Sequence, residues 1–310
     1  MSFKLTILGS NSAVPTSNRN PTAQILSHDE RLFLIDCGEG TQMQLRKCRF
    51  NFNKINHIFI SHLHGDHFFG LIGLISTFNL IGRNTDLHIY AHSEIKTILQ
   101  SQLDFIQTDM TYQIKFHPLN LKKLQVVYED KKIIVSSFPL KHRIPTCGFL
   151  FSEKQKQPNL RKDMIEIHNI PISSRVQIKE GADFVTAEGK LIPNDELVIV
   201  PARPCSYAFC SDTSYNEEIL PIIRGVDLLY HEATFANDNE ALASSTGHST
   251  AAHAARIALK AEAGKLIIGH FSARYKDVSP LLKEAKEIFK DTIAAIDGMS
   301  IKIENIQEKQ

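Results

Sequence analysis

Apolar positions in this chain fall in short runs, and many of the runs end on glycine, histidine or a carboxylate. Lys4-Leu5-Thr6-Ile7-Leu8-Gly9 reads as a strand that stops at Gly9. The polar segment 10–20, interrupted by Pro15, reads as a loop. Residues 22–27 and 31–36 read as two strands joined by the turn His28-Asp29-Glu30, and Asp36-Cys37-Gly38-Glu39-Gly40 closes the second. A short helix, 41–48, follows. The run His57-Ile58-Phe59-Ile60 has the length and character of a buried strand. Residues 71–80 read as a buried helix, 87–90 as a strand, 93–105 as a helix and 114–138 as a β-rich stretch whose last strand is 132–138. Strands alternating with helices predict a layered α/β fold.

The pattern breaks between residues 152 and 195. Glu153-Lys154-Gln155-Lys156-Gln157-Pro158 is charged and polar, 161–168 is weakly helical, and Pro171, Gly181, Gly189 and Pro193 interrupt the rest. Such a segment predicts an insertion projecting from a main body. Periodicity returns with a strand at 206–210, a helix near 215–223 and a strand at 226–230. An alanine-rich helix at 251–261, a strand at 265–269, a helix at 280–290 and a short strand near 300–303 complete the chain. No repeat of fixed period is present. Both halves nevertheless place metal-type residues at strand ends, consistent with two similar layers packed together.

Composition narrows the partners. The 310 residues are enough for one large domain or two small ones. Hydrophobic residues make up 43% and charged residues 22%, the balance of a globular protein without membrane spans. The formal charge is +1, so no global cationic field announces a nucleic-acid binder, and contact with a polyanion must come from local patches and bound metal. Five cysteines, Cys37, Cys48, Cys147, Cys205 and Cys210, form no paired spacing, and the N-terminus has no apolar signal region. A reducing, cytoplasmic setting with free thiols is expected. Fourteen histidines are the compositional hint of metal chemistry.

That hint is concentrated in His62-Leu63-His64-Gly65-Asp66-His67, directly after an apolar run. In an extended loop alternate side chains point the same way, so His62 and His64 can grip one cation. Asp66 and His67 lie just beyond, where Gly65 lets the chain bend, and can face a second. Nitrogen and carboxylate ligands without thiolate suit zinc or a similar borderline metal in an open, catalytic site. The hexapeptide resembles the metal motif of the metallo-β-lactamase superfamily. Three lone residues at strand ends extend the set: His142, Asp212 and His270. One metal would take His62, His64 and His142, the other Asp66, His67 and His270. Asp212 would bridge them, or else cap the helix that follows. Asp36, beside glycines, either orients a metal-bound histidine or caps a turn. Two metals about 3.5–4 Å apart suit in-line displacement at a phosphodiester, but ligands of this kind also serve thioesters, lactams and sulfates.

Further motifs narrow the resemblance. Pro15-Thr16-Ser17-Asn18-Arg19-Asn20, His231-Glu232-Ala233-Thr234, Gly247-His248-Ser249 and His270-Phe271-Ser272-Ala273-Arg274-Tyr275 occur in order, with the contexts Leu140-Lys141-His142 and Cys210-Ser211-Asp212-Thr213 between them. Together they resemble tRNase Z, short form, over nearly the whole chain. The resemblance implies an αββα sandwich of the metallo-β-lactamase fold over residues 1–310, with 152–195 as a flexible tRNA-binding arm. It implies zinc-dependent endonucleolytic removal of the 3′ trailer from precursor tRNA by a homodimer holding two Zn2+ per subunit. Asp66 would accept a proton as well as ligate metal. His248 would protonate the leaving 3′ oxygen, with Glu232 keeping its imidazole cationic. Arg19, Asn20 and Arg274 would contact substrate near the site, and Lys154, Lys156 and Arg175 would meet phosphates on the arm. The arm lacks the Gly-Pro pair usual near the family's tip; Ile170-Pro171-Ile172-Ser173-Ser174-Arg175 stands at the corresponding place. The competing reading is a phosphodiesterase or arylsulfatase of the same fold acting on small substrates; a catalytically silent RNA binder would be expected to have lost ligands.

Overall fold

The computed structural model describes residues 3–106 and 109–305. The N-terminal half builds one sheet from β1 (Phe3–Gly9), β2 (Ala23–His28), β3 (Arg31–Cys37), β4 (Ile55–Phe59), β5 (Leu87–Ala91) and β6 (Ile114–Pro118). The second sheet contains β7 (Gln125–Glu129), β8 (Ile133–Leu140), β9 (Thr146–Glu153), β10 (Ser206–Cys210), β11 (Leu228–Glu232), β12 (Lys265–Gly269) and β13 (Thr292–Ala294). The last strand, β14 (Ser300–Lys302), returns to pair with β1 and makes the first sheet seven-stranded like the second.

The sheets meet through aromatic side chains. Phe33 of β3 and Phe59 of β4 pack on Phe151 of β9 at ring-centroid distances of 5.9 and 5.5 Å. Tyr207 of β10 donates its hydroxyl to Gln24 of β2. All five of these side chains are fully buried. Burial of each phenylalanine is worth about 1.5–3 kcal/mol. Helix α1 (Thr41–Lys47), the single turn α2 (Gly65–Phe68), α3 (Leu71–Leu80) and α4 (Ile95–Ile106) belong to the first half. Leu71, Leu74, Ile75 and Phe78 put the apolar face of α3 into a core shared with β4 and β5. The alanine-rich helix Ala251–Lys260 begins at a Thr250–His253 capping box and packs beside β12 and the helix Ser279–Ile288. The αββα sandwich follows from this layering. No helix among the described residues is long and apolar enough to cross a membrane.

Parallel pairing positions the chemistry. β3, β4 and β5 run parallel in one sheet, and β10, β11 and β12 run parallel in the other. Strands that run together end together, so the segments after Cys37, Phe59, Cys210, Glu232 and Gly269 emerge at common edges. Asp36 and His270 have positive φ, 54° and 58°, which bends the chain sharply at those ends.

The structure departs from the expected elements at several places. Strand β9 was not expected; Cys147, Gly148 and Phe149 in it are fully buried, and Gly148 is closely enclosed by Phe138 and the Phe209 carbonyl. The helix expected near 215–223 is one turn of 3-10 helix, Glu217–Ile219, and one of α-helix, Leu220–Ile223. A helix at Glu240–Thr246 was not foreseen.

A second compact unit comprises Asp130–Ile133 and Glu153–Pro204. It has its own small core of Ile170, Ile178, Ile192, Leu197 and Val198. Where proline and glycine suggested broken chain, Ile172–Lys179 is an eight-residue helix. Pro171 sits at its N-cap and Gly181 just past its end, so both residues bound the helix and neither lies inside it.

Candidate metal centre

His62-Leu63-His64 leaves β4 in extended form, and α2 starts at Gly65. The geometry separates the motif as its spacing suggests. Ligand atoms of His62, His64, His142 and Asp212 lie within 4.8 Å of one another, as do those of Asp66, His67 and His270. His62 Nε2 approaches His64 Nδ1 at 3.0 Å, and His142 Nε2 approaches the same atom at 3.3 Å. Tetrahedral zinc with Zn–N bonds of about 2.0–2.1 Å places its nitrogens about 3.3 Å apart.

Asp212, fully buried at the end of β10, lies between the groups. Its Oδ2 faces His62 Nε2 at 3.5 Å and His142 Nε2 at 3.7 Å. Its Oδ1 faces His270 Nε2 at 3.1 Å and His67 Nε2 at 3.3 Å. Asp66 Oδ2 completes the second group, 3.4 Å from His270 Nε2 and 3.5 Å from His67 Nε2. Each oxygen of one carboxylate thus addresses a different set.

Four of the imidazoles are held by their Nδ1 atoms. His67 Nδ1 donates to Asp36 Oδ2 at 2.7 Å, and His142 Nδ1 to the Gly247 carbonyl at 2.7 Å. His270 Nδ1 donates to Thr234 Oγ1 at 2.9 Å, and His62 Nδ1 to Ser61 Oγ at 3.0 Å. The two hydroxyls pass the polarity on, Ser61 to Asp36 and Thr234 to Glu232. Every such bond fixes a tautomer and turns the Nε2 lone pair inward. His67 Nε2 is buried without a hydrogen-bond partner among the described residues.

The charge balance points the same way. Burial holds His62, His64 and His142 below the ordinary histidine range, against the pull of Asp212, so they are neutral donors at pH 7. Burial opposes charge on Asp212 too, but His270, His67 and His62 hold it well below the usual carboxylate range. Asp36, Asp212 and Glu232 are each almost wholly buried, with Asp66 beside them. Burial opposes a charge on His67, yet Asp212, Asp66 and Asp36 raise it well above the ordinary histidine range, and four carboxylates in one enclosed place are a cost unless such cations answer them. Orphaned lone pairs, fixed tautomers and excess negative charge fit a pair of borderline divalent metals.

Beside this cluster lies a cavity of about 350 Å³ lined in part by Ala13, Glu39, Asp66, Arg143, His248 and His270. His248 Nδ1 is bonded to Glu232 Oε1 at 2.8 Å, which leaves Nε2 for the cavity. Glu232 also accepts from the Thr213 and Thr234 amides, each at 3.0 Å. Burial works against a charge on His248, but the Glu232 carboxylate outweighs it and raises the imidazolium to about 9.

The expected substrate residues divide differently. Arg19 gives its Nε to Asn11 Oδ1 at 2.8 Å and Nη2 to the Tyr275 carbonyl at 2.7 Å. Asn20 gives its amide and side chain to Asp297 Oδ2. These donors are spent inside the protein, where they pin the loop that delivers the Ala13 N–H to Asp66 Oδ2 at 2.7 Å. Arg274 is exposed, with its guanidinium 5.0 Å from the Phe235 ring centre. In the second unit Lys156 is exposed, while Arg175 folds back onto the Ile170 carbonyl at 3.2 Å. Ser61, the Gly247 carbonyl and the Ala13 amide were not foreseen as participants. Two of the three are backbone groups, which leave no residue-type signal.

A two-sheet sandwich whose parallel strands deliver histidines and aspartates to one rim defines the class: a metallo-β-lactamase-fold hydrolase. Solved structures agree. The metallo-beta-lactamase fold protein YhfI from Bacillus subtilis matches 97% of this chain and 100% of its own with a TM-score of 0.68 at 20% identity. The short form of human tRNase Z matches 97% and 99% with a TM-score of 0.70 at 25% identity. Residues 3–157 match the family model described as Anti-Pycsar protein Apyc1. Ribonuclease Z of Phocaeicola vulgatus is 50% identical over 305 residues, 98% of this chain and 99% of that one. Ribonuclease Z of Porphyromonas gingivalis strain W83 is 47% identical over 299 residues, 96% and 98%. The chain belongs to the ribonuclease Z family.

Proposed function

We propose that this protein matures the 3′ ends of tRNA as a zinc-dependent endoribonuclease. It removes the 3′ trailer from precursor tRNA, leaving a 3′-hydroxyl on the tRNA and a 5′-phosphate on the trailer. The name ribonuclease Z among relatives of about half identity, and tRNase Z among structural neighbours, support this reading. They do not favour a phosphodiesterase or arylsulfatase of small substrates. The observation that carries the mechanism is Asp212, with one oxygen toward each ligand set and the His248–Glu232 pair beside it.

His62, His64 and His142 would hold one zinc ion and Asp66, His67 and His270 the other, with Asp212 between. Bound there, the pair supplies Lewis acidity at the phosphate and acidifies water. The protein's residues do the rest. Asp66, only 10% exposed, faces the cavity and takes the proton of the attacking water. The Ala13 amide occupies part of its Oδ2 and keeps it oriented. As the P–O3′ bond breaks, His248 passes a proton to the leaving oxygen. Glu232, buried and bonded to Nδ1, keeps His248 charged for that task. Arg274 near the site and Lys154, Lys156 and Arg175 on the 153–204 unit contribute charge for RNA phosphates. The enzyme acts in the cytoplasm as a homodimer, the subunits sharing the holding and cutting of one tRNA.

Incubation of the metal-loaded protein with a precursor tRNA bearing a 3′ extension tests this. One cut that releases the extension and leaves a 3′-hydroxyl is expected. No cut, or a 2′,3′-cyclic phosphate at the new end, overturns it.

A further inference from the structure

The loop that brings Ala13 and Pro15 to the reaction cavity also contributes Ser17, Asn18 and Asn20 to a second cavity, of about 710 Å³. Lys4 and Thr6 of β1 form part of its wall, with Lys47 and Arg49 at the end of α1. One acid, Asp297, lies among the lining residues. Both its oxygens are taken: Oδ1 by the Ser10 hydroxyl at 2.7 Å, Oδ2 by the Asn20 amide and side chain at 2.7 and 2.9 Å. Lys4, Lys47 and Arg49 form no ion pair and no side-chain hydrogen bond among the described residues. In a chain of formal charge +1, this is a local cationic cavity in which three cations meet one carboxylate. Arg49 stands at φ 58°, a backbone conformation unfavourable for a side chain of its size.

The cavity adjoins the chemistry. Asn11 N bonds the Asn20 carbonyl at 3.0 Å, and Ala13, two residues on, bonds Asp66 at 2.7 Å. Two residues of chain, at most about 3.6 Å each, plus these two hydrogen bonds put the Asn20 carbonyl within about 13 Å of Asp66. The volume is within the range of about 300–1,000 Å³ that encloses a small ligand, so it admits a nucleotide or two of single strand.

We propose that this cavity is a subsite for the phosphates of the single-stranded 3′ trailer, next to the scissile bond. The inference rests on the reading of the protein as a precursor-tRNA nuclease. Lysine, arginine, serine and asparagine donors directed at phosphate oxygens carry no sequence information, which suits a strand whose sequence varies from one precursor to the next. The competing explanation is that Lys47 answers the C-terminal end of α1, which it would do regardless of substrate.

The test compares precursors with a trailer of one nucleotide and of about ten nucleotides in the parent and in the Lys47→Gln/Arg49→Gln variant. The parent is expected to favour the longer trailer in kcat/KM. The variant is expected to lose about tenfold of that preference, because two phosphate contacts are gone. The slope of log KM against log salt for the long trailer should shrink by about 1.4, the value for two contacts to a single strand. An unchanged ratio of the two kcat/KM values, with the parent cutting both precursors, overturns the subsite alone. A parent that cuts neither precursor overturns the functional reading and the subsite with it.

Discussion

Glu232→Gln separates the proposed acid from the metal cluster. The substitution keeps the volume and the Oε1 acceptor for His248 but removes the charge. The His248 imidazolium stands at about 9 against an ordinary 6.5, although burial alone would lower it. At about 1.4 kcal/mol per unit, the carboxylate environment favours the charged ring by about 3 kcal/mol. The sign follows from the raised value. The acid form is present below about 9 and is lost as pH rises through it, so activity should fall on the alkaline side. Bound cations lower this value in parent and variant alike, and the difference isolates Glu232. Without the carboxylate the alkaline limb of kcat should move down by about 2 units, a loss of about tenfold at pH 8 that is recovered near pH 6. The amide also turns a donor toward the Thr234 N–H, which accepts no hydrogen bond, at a cost of about 1–3 kcal/mol in stability. Rates from pH 5.5 to 9.5 with metal content measured at each point form the assay. An alkaline limb displaced by less than about half a unit, with metal retained, would refute the role given to Glu232.

Three other perturbations have distinct outcomes. Asp36→Ala strips the acceptor from His67 Nδ1 and the Ser61 relay, and metal affinity measured by chelator competition should fall about 10–100-fold. Gly247→Ala puts a Cβ 3.0 Å from His142 Nδ1 at a φ of 75°, so it should weaken binding at the His62–His64–His142 set while Asp66, His67 and His270 keep theirs; titration with cobalt, read by its absorption, resolves the two steps. Replacing residues 153–204 with a short linker should abolish cleavage of precursor tRNA yet leave hydrolysis of small phosphodiesters intact, as measured with a chromogenic ester.

The parts of this molecule that could be read from its residues are those where chemistry is local in sequence. Six consecutive positions, His62 to His67, carry four donors, and the extended-then-bent backbone that sorts them follows from Gly65. His142 lies 78 residues from His64 and His270 lies 204 from Asp66, and Asp212 also stands outside the motif; strand-end position and family resemblance together nominate all three. Their supports were illegible for a physical reason. An acceptor such as the Gly247 carbonyl is available in every residue, and a left-handed bend at Asp36 or His270 is dictated by tertiary packing. The loop Pro15 to Asn20 was nominated by family resemblance as a contact for substrate, and its structural part was not legible: the Arg19 guanidinium closes the loop onto the Tyr275 carbonyl. Helix Ile172–Lys179 was hidden because its proline and glycine read as breakers when they serve as boundaries.

The proposed chemistry depends on two cations held by nitrogen and oxygen donors alone. X-ray absorption at the zinc edge on the loaded protein, with metal and protein quantified on the same sample, measures this most directly. Two zinc ions per chain with zinc–nitrogen and zinc–oxygen distances of about 2.0–2.2 Å and no sulfur are predicted. A single ion per chain, or a zinc–sulfur shell near 2.3 Å, would contradict it.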